Sequence, residues 1–211
     1  MDILERLEEC GIVPVVVIED ENDALELGRV LMESGLACAE ITFRTDAALK
    51  AMKLMSENYP DLLLGAGTVL NPKQVDEAIE AGAKFIVSPG FNPRVVKYCL
   101  EKNILVIPGA ITPSEIERAL EFDLNVLKFF PAEPSGGLKM IKALCAPYTN
   151  VRFMPTGGIN EVNVKDYLKE KVIACCGGSW MLSKELIKNK QFDTILKLCQ
   201  NAKEIVKEAR K

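Results

Sequence analysis

Eight short apolar runs alternate with amphipathic stretches along the chain, and this alternation constrains the fold more than any other feature. The runs are rich in Val, Ile, Leu and Phe, and most lack a strict polar–apolar alternation, which is typical of parallel strands buried on both faces. They cover residues 12–18, 38–43, 62–66, 85–88, 105–107, 126–130, 151–154 and 172–176. We therefore predict eight parallel strands, with a helix after each of them.

Helix-start signals lie between these runs. Thr112-Pro113 combines a capping hydroxyl with a proline at the first helical position, and Glu115 completes a capping box. We also predict a helix over about residues 2–10, before the first strand, and a terminal helix over about residues 193–209.

Eight strand–helix units in 211 residues favour an α/β fold of one domain, a (β/α)₈ TIM barrel over residues 1–211 with an extra N-terminal helix. A hydrophobic content of 48% suffices for one sizeable core. The competing architecture is an open, doubly wound sheet. The barrel is preferred because eight even units leave no obvious edge strand, and no linker or second domain is visible.

Composition narrows the partners and the compartment. The net charge is −4 without a long run of one sign, which argues against nucleic acid or an acidic membrane as a partner. No apolar run approaches the roughly 18 residues of a membrane span. The opening residues 1–6 are charged, unlike a signal peptide, and the seven scattered cysteines lack a C-x-x-C spacing. We therefore expect a cytoplasmic protein.

The sequence contains no histidine. This removes Ser-His and Cys-His nucleophile systems and the usual zinc sites that need imidazole. Acid–base chemistry therefore falls to carboxylates, lysine, tyrosine or water.

Lys128 lies within the otherwise apolar run 126–131. A charged amine is costly to bury, and burial favours its neutral form, which is the form that attacks a ketone. Single lysines near a strand more often extend to the surface or lie on a sheet edge. The other residues described below favour a nucleophilic role for Lys128.

Glu40, Thr42 and Arg44 share parity along the second run, so they face the same side of the strand. Active sites of such barrels lie at the C-terminal ends of the strands. Glu40 is a candidate general acid or base, and Arg44 is a candidate clamp for a carboxylate. A buried Glu40–Arg44 pair with a structural role alone explains these two residues equally well.

Two further strand ends carry small or rigid residues. The segment 65–68 (GAGT) lets a ligand approach the backbone closely, and Thr68 offers a hydroxyl, although a glycine-rich turn is the commoner explanation. Pro89 lies in the segment 88–90 (SPG), where it forms either a pocket wall or a simple turn.

Gly-Gly pairs at 157–158 and 177–178 follow the seventh and eighth runs. Loops after strands seven and eight are the recurrent phosphate site of this barrel. Glycines expose backbone N–H groups to a phosphate, and Thr156 and Ser179 add hydroxyl donors. Two such pairs at these places favour phosphate binding over plain turns.

These segments together resemble the 2-keto-3-deoxy-6-phosphogluconate (KDPG) aldolases, which are also grouped with the 4-hydroxy-2-oxoglutarate (KHG) aldolases. The resemblance covers nearly the whole chain, and the segments occur in the order of the family. They are residues 12–15 (IVPV), 40–45 (EITFRT), 65–69 (GAGTV), 88–90 (SPG), 128–133 (KFFPAE), 155–159 (PTGGI) and 177–180 (GGSW).

The resemblance implies a role for each candidate residue. Lys128 would form the Schiff base with pyruvate, and Glu40 would move protons through a water. Arg44 and Thr68 would hold the pyruvate carboxylate. The remaining implied contacts are Pro89 and Phe130 lining the pocket, Thr156 near the stereochemical centre, and Gly157, Gly158, Gly178 and Ser179 on the phosphate.

The implied activity is cleavage of KDPG to pyruvate and glyceraldehyde 3-phosphate, and also of KHG to pyruvate and glyoxylate. The resemblance further implies a cytosolic homotrimer that needs no metal ion and no cofactor. The alternatives are a phosphosugar isomerase or decarboxylase on the same barrel, and a non-catalytic phospholigand sensor. Neither alternative requires Lys128 to form a covalent bond, so borohydride trapping with pyruvate distinguishes them from an aldolase.

Overall fold

The computed structural model describes residues 2–211 as strands that alternate with helices. The strands are β1 (Ile12–Val16), β2 (Cys38–Thr42), β3 (Leu63–Gly67), β4 (Phe85–Val87), β5 (Leu105–Ile107), β6 (Val126–Phe129), β7 (Arg152–Pro155) and β8 (Cys176–Gly178). The α-helices are α1 (Ile3–Cys10), α2 (Ala24–Ser34), α3 (Ala48–Asn58), α4 (Pro72–Glu80), α5 (Pro93–Glu101), α6 (Pro113–Leu120), α7 (Gly137–Cys145), α8 (Val164–Leu168), α9 (Lys184–Lys188) and α10 (Phe192–Ala209).

All strand pairs are parallel, which confirms the predicted α/β class. Six strands form one sheet in the order β5-β4-β3-β2-β1-β8, and β6 pairs with β7 in a second sheet. Isolated parallel bridges connect the two sheets on both sides. Gly109, just after β5, pairs with Lys128 in β6, and Thr156, just after β7, pairs with Gly177 in β8.

The eighth strand differs from its prediction. The sequence placed it at 172–176 with a glycine turn behind it, whereas β8 consists of Cys176, Gly177 and Gly178 paired in register with β1. Glycine has a low strand propensity, so the apolar residues before it suggested the strand instead. The pairing partner, which the local sequence does not reveal, fixes the true position.

The predicted capping box of Thr112 and Glu115 forms at the start of α6. Asp2 and Glu5 form a second capping box at α1, which was not predicted from the sequence. Such boxes satisfy backbone N–H groups that have no partner inside the helix. The last helix, α10, spans Phe192–Ala209 and so agrees with the predicted range to within one residue.

A buried apolar cluster lies below the predicted site. Cys38 and Val126 belong to it, and each lies two residues before Glu40 or Lys128 on the same face of its strand. Leu7 of α1 is fully buried in this cluster. Helix α1 therefore covers the strand face at the end opposite to the predicted site.

Among residues 2–211, no helix has both the length and the apolar character that crossing a membrane requires. No group of three or more His, Cys, Asp and Glu side chains in this range is arranged to hold a metal ion. All seven cysteines are free thiols, and all but Cys10 are buried. Burial raises the pKa of the Cys175 thiol to about 12, so this group packs as a small apolar side chain.

Candidate active site

Lys128 and Glu40 meet in the interior of the protein. The amine Nζ of Lys128 lies 3.0 Å from Oε1 and 3.4 Å from Oε2 of Glu40. The two side chains are 5% and 0% exposed. They come from β6 and β2, which are not neighbours in either sheet, so their contact spans the space between the sheets.

This contact changes the electrostatic picture that the sequence suggested. The sequence placed Lys128 among apolar neighbours, whereas the structure gives the amine a carboxylate partner. Since an unpaired buried charge is very costly, this contact compensates each group for its loss of contact with water. The Glu40 carboxylate is therefore the nearest group that can take the proton from Lys128.

Two glycines of β3 make room for larger side chains. A methyl group at Gly67 would lie 2.7 Å from Cγ of Glu40, and one at Gly65 would collide with the ring of Phe85. The sequence suggested that these glycines admit a ligand or form a turn. Both belong to β3 and not to a turn, and Gly67 leaves room for the Glu40 side chain.

We predict that Gly67→Ala lowers kcat by about tenfold or more, because a displacement of even 1 Å at a reacting group is costly. The added methyl group would push the Glu40 side chain away from Lys128. Steady-state kinetics with circular dichroism as a check of folding measures this effect.

Gly90→Ala is the matched control for Gly67→Ala, because a methyl group there has nothing within 4 Å. It should leave kcat within about twofold. An equal fall in kcat in both variants, or full activity in Gly67→Ala, would contradict the role of Gly67.

Phe130 and Pro89 lie close to the amine. The Nζ of Lys128 is 5.5 Å from the centroid of the Phe130 ring, within the range of a cation–π contact. Gly109 forms a parallel β-bridge with Lys128. A methyl group on Gly109 would collide with the Pro89 carbonyl, so Pro89 lies directly beside Gly109. The structure therefore brings both predicted wall residues to the surroundings of Lys128.

Arg44 and Thr68 lie together at the rim. The guanidinium Nε of Arg44 donates a hydrogen bond of 3.3 Å to the Thr68 hydroxyl. Thr68 has φ of 60°, a left-handed conformation that is strained for a β-branched residue. Such strain concentrates at ligand sites. Glu40 pairs with Lys128 and Arg44 pairs with Thr68, so the alternative of a structural Glu40–Arg44 pair does not form.

Thr156 places an unpaired hydroxyl in the site. Its Oγ1 is buried and has no hydrogen-bond partner among residues 2–211. A side chain at Gly177 would collide with this oxygen, so the glycine provides the space that the hydroxyl occupies. A buried polar atom is normally paired, and therefore the Thr156 hydroxyl is suited to a ligand.

The loop 157–158 presents backbone donors. Gly157 and Gly158 have φ of 97° and 83°, which glycine adopts readily. The carbonyl of Gly157 accepts from the N–H of Glu133, and the carbonyl of Gly158 accepts from the side-chain amides of Asn160 and Asn163. Within residues 2–211, the N–H groups of the two glycines donate to no protein acceptor.

Gly178 and Ser179 lie beside this loop. Thr156 forms a parallel β-bridge with Gly177. The segments 157–158 and 178–179 therefore follow directly after two neighbouring strands. Gly178 is buried at the end of β8 and Ser179 is exposed just after it. The two predicted phosphate segments are therefore adjacent, although Gly178 belongs to a strand and not to a turn.

Two residues that contact this region were not predicted from the sequence. Glu133 is the last residue of the segment 128–133, and its carboxylate accepts a hydrogen bond from Tyr167 of α8. Tyr167 lies outside every recognised segment, so no local signal indicated it.

The sequence is similar to those of known aldolases. Residues 3–198 match the family model described as KDPG and KHG aldolase. The chain is 47% identical to a 2-dehydro-3-deoxy-phosphogluconate aldolase of Haemophilus influenzae, and the match covers 97% of each chain. It is 40% identical to a KHG/KDPG aldolase of Escherichia coli, over 92% of this chain and 91% of the other.

Solved structures show the same fold. A KDPG aldolase of Legionella pneumophila, with pyruvate captured as a covalent carbinolamine, matches with a TM-score of 0.92 and 38% identity, over 96% of this chain and 98% of the other. The KDPG aldolase of Zymomonas mobilis with 3-phosphoglycerate matches with a TM-score of 0.90 and 37% identity, over 96% and 95%. The chain therefore belongs to the KDPG and KHG aldolase family.

Proposed function

We propose that this protein is a Schiff-base (class I) aldolase that cleaves KDPG to pyruvate and glyceraldehyde 3-phosphate. The observation that carries the proposal is the buried amine of Lys128, 3.0 Å from the Glu40 carboxylate. A nucleophile in contact with a proton acceptor is the arrangement that covalent catalysis on a ketone needs. The relative from Legionella, which holds pyruvate covalently, supports the same chemistry.

The first stage joins the substrate to Lys128. Glu40 takes a proton from the ammonium, and the neutral amine attacks the C2 carbonyl carbon of KDPG. The carbonyl oxygen receives one proton from the attacking nitrogen and one back from Glu40, and it leaves as water. A C=N⁺ iminium thus replaces the C=O bond, and Glu40 is again a carboxylate. This iminium is the electron acceptor for the next stage.

The second stage breaks the carbon–carbon bond. Glu40, directly or through a water, removes the proton of the C4 hydroxyl. The C3–C4 electron pair moves toward the iminium nitrogen, which leaves an enamine on Lys128 and releases glyceraldehyde 3-phosphate. A proton then adds to C3, and water hydrolyses the iminium to release pyruvate and the amine.

The remaining site residues are proposed to bind the substrate. Arg44 and Thr68 would hold the carboxylate, which is supported by their hydrogen bond at the rim and the strained backbone of Thr68. Pro89 and Phe130 would form the walls, and the unpaired Thr156 hydroxyl would contact the substrate near C4. The proposed phosphate ligands are Gly157, Gly158, Gly178 and Ser179.

We also propose the finer architecture that the family resemblance implies. One domain over residues 1–211 would form a closed (β/α)₈ barrel with an extra N-terminal helix, and the bridges at Gly109 and Gly177 support the closure. The assembly would be a cytoplasmic homotrimer. Sedimentation velocity would then give a mass of three times 23.3 kDa, whereas a monomer mass would contradict the trimer.

The test of function is a side-by-side cleavage assay. KDPG, its galactonate epimer and KHG are each supplied, and pyruvate is detected with lactate dehydrogenase and NADH. We expect the highest kcat/KM for KDPG and measurable cleavage of KHG, since a relative is named a KHG/KDPG aldolase. Absence of pyruvate from every substrate, together with no borohydride adduct, would favour an isomerase, a decarboxylase or a sensor.

A further inference from the structure

The chain segment after β6 continues to pair with the segment after β7. The N–H of Ala132 donates to the Thr156 carbonyl at 2.8 Å, and the N–H of Glu133 donates to the Gly157 carbonyl at 3.0 Å. These two bonds lie beyond the last register pair of the strands, which is Phe129 with Pro155. The backbone of the loop 157–158 is therefore fixed on one side by the segment that follows Lys128.

The side chain of Glu133 also determines the space available to this loop. A methyl group on Gly158 would lie 2.6 Å from Cγ and 2.7 Å from Cβ of Glu133. The aliphatic part of Glu133 thus lies directly against the backbone of Gly158. A different rotamer of Glu133 would change this contact with the loop.

Tyr167 holds the Glu133 carboxylate in place. Its hydroxyl donates a hydrogen bond to Oε1 of Glu133. Tyr167 is 2% exposed, whereas Glu133 is exposed to solvent. Burial and the bond to Glu133 raise the pKa of Tyr167, so the phenol stays a donor.

We propose that Glu133 and Tyr167 are positioning residues that hold the loop 157–158 in the shape that binds the phosphate of the substrate. This inference rests on the proposed function. Phosphate binding by backbone N–H groups depends on the direction in which they point. For Gly157 and Gly158, this direction depends on the contacts of the loop with Glu133, which Tyr167 in turn holds in place. Neither residue would touch the reacting carbons.

The experiment compares a phosphorylated with an unphosphorylated ligand. Steady-state kinetics with KDPG, inhibition by inorganic phosphate, and borohydride trapping of pyruvate on Lys128 are measured for Tyr167→Phe and Glu133→Ala. We expect KM for KDPG and Ki for phosphate to rise about threefold to thirtyfold in both variants. Pyruvate carries no phosphate, so its trapping rate should stay within about twofold.

Two further variants serve as controls. Glu133→Gln keeps an oxygen that accepts a hydrogen bond from the Tyr167 hydroxyl, so its KM and Ki should stay near those of the unmodified protein. Because it removes the negative charge, it shows whether the hydrogen bond or the charge of Glu133 matters. Tyr148→Phe removes a comparable hydrogen bond of 2.8 Å to Glu117, on the outside of α6, and should leave KM and Ki unchanged.

The outcomes separate the inference from the proposed function. Unchanged KM and Ki in both Tyr167→Phe and Glu133→Ala would overturn the positioning role, as would a parallel fall in pyruvate trapping. If Tyr167→Phe fails to fold, the result for Glu133→Ala decides, because Glu133 is exposed and its replacement should not disturb folding. An unmodified protein that neither cleaves KDPG nor traps pyruvate would instead overturn the proposed function itself.

Discussion

Replacement of Lys128 by arginine is expected to abolish cleavage of KDPG, with kcat lower by at least about 10⁴-fold. A guanidinium stays charged at any working pH and forms no iminium with a ketone. Arginine keeps a positive charge opposite Glu40, so the buried carboxylate is not left alone. Lys128→Ala should be equally inactive, but loss of one partner of a buried ion pair also costs about 3–5 kcal/mol of stability.

Covalent trapping shows whether this loss concerns the Schiff base. The protein is incubated with pyruvate and borohydride, and the mass of the intact chain and of its peptides is measured. The unmodified protein should carry one reduced pyruvate adduct, on the peptide that contains Lys128. Lys53→Arg, at an exposed lysine of α3, is the control that should retain the adduct. A fully active Lys128→Ala protein would end the Schiff-base mechanism.

Glu40→Gln is expected to lower kcat by about 10²–10⁴-fold while some imine still forms. The amide has nearly the shape of the carboxylate, and its oxygen still accepts a hydrogen bond from Nζ of Lys128. It does not take up a proton at neutral pH, so removal of the C4 hydroxyl proton should be most affected. Imine formation needs only that the amine loses its proton, which water can accept slowly.

The comparison of two rates tests this role of Glu40. Borohydride trapping with pyruvate reports imine formation, and pyruvate release from KDPG reports the complete reaction. In Glu40→Gln, the second rate should fall much further than the first. If both rates fall by the same factor, Glu40 assists only the formation of the imine. If neither falls, the buried contact with Lys128 serves stability alone.

The features that the sequence predicted correctly are those encoded locally. Apolar runs indicated the strands, and the Thr112 capping box marked the start of α6. The apolar run around Lys128 indicated a strand, and the lysine is buried in β6. The family resemblance, which is also read from short segments, identified the class of chemistry.

Other features depend on contacts between distant parts of the chain. Glu40 and Lys128 are separated by 88 positions, and no local pattern gives their distance of 3.0 Å. The role of Gly67 follows from the side chain of its neighbour in space, and β8 takes its position from pairing with β1. Tyr167 contributes through one hydroxyl that has no motif around it.

The position of helix α1 has a consequence for the order in which substrates bind and products are released. Because Leu7 is buried in the apolar cluster below Lys128, we expect a substrate to reach the amine from the opposite, C-terminal end of the strands. The three-carbon enamine bound to Lys128 then lies deepest in the site, so the phosphorylated aldehyde should be released before pyruvate. In the reverse, bond-forming direction, pyruvate should bind first. An aldehyde that binds before pyruvate should form a nonproductive complex.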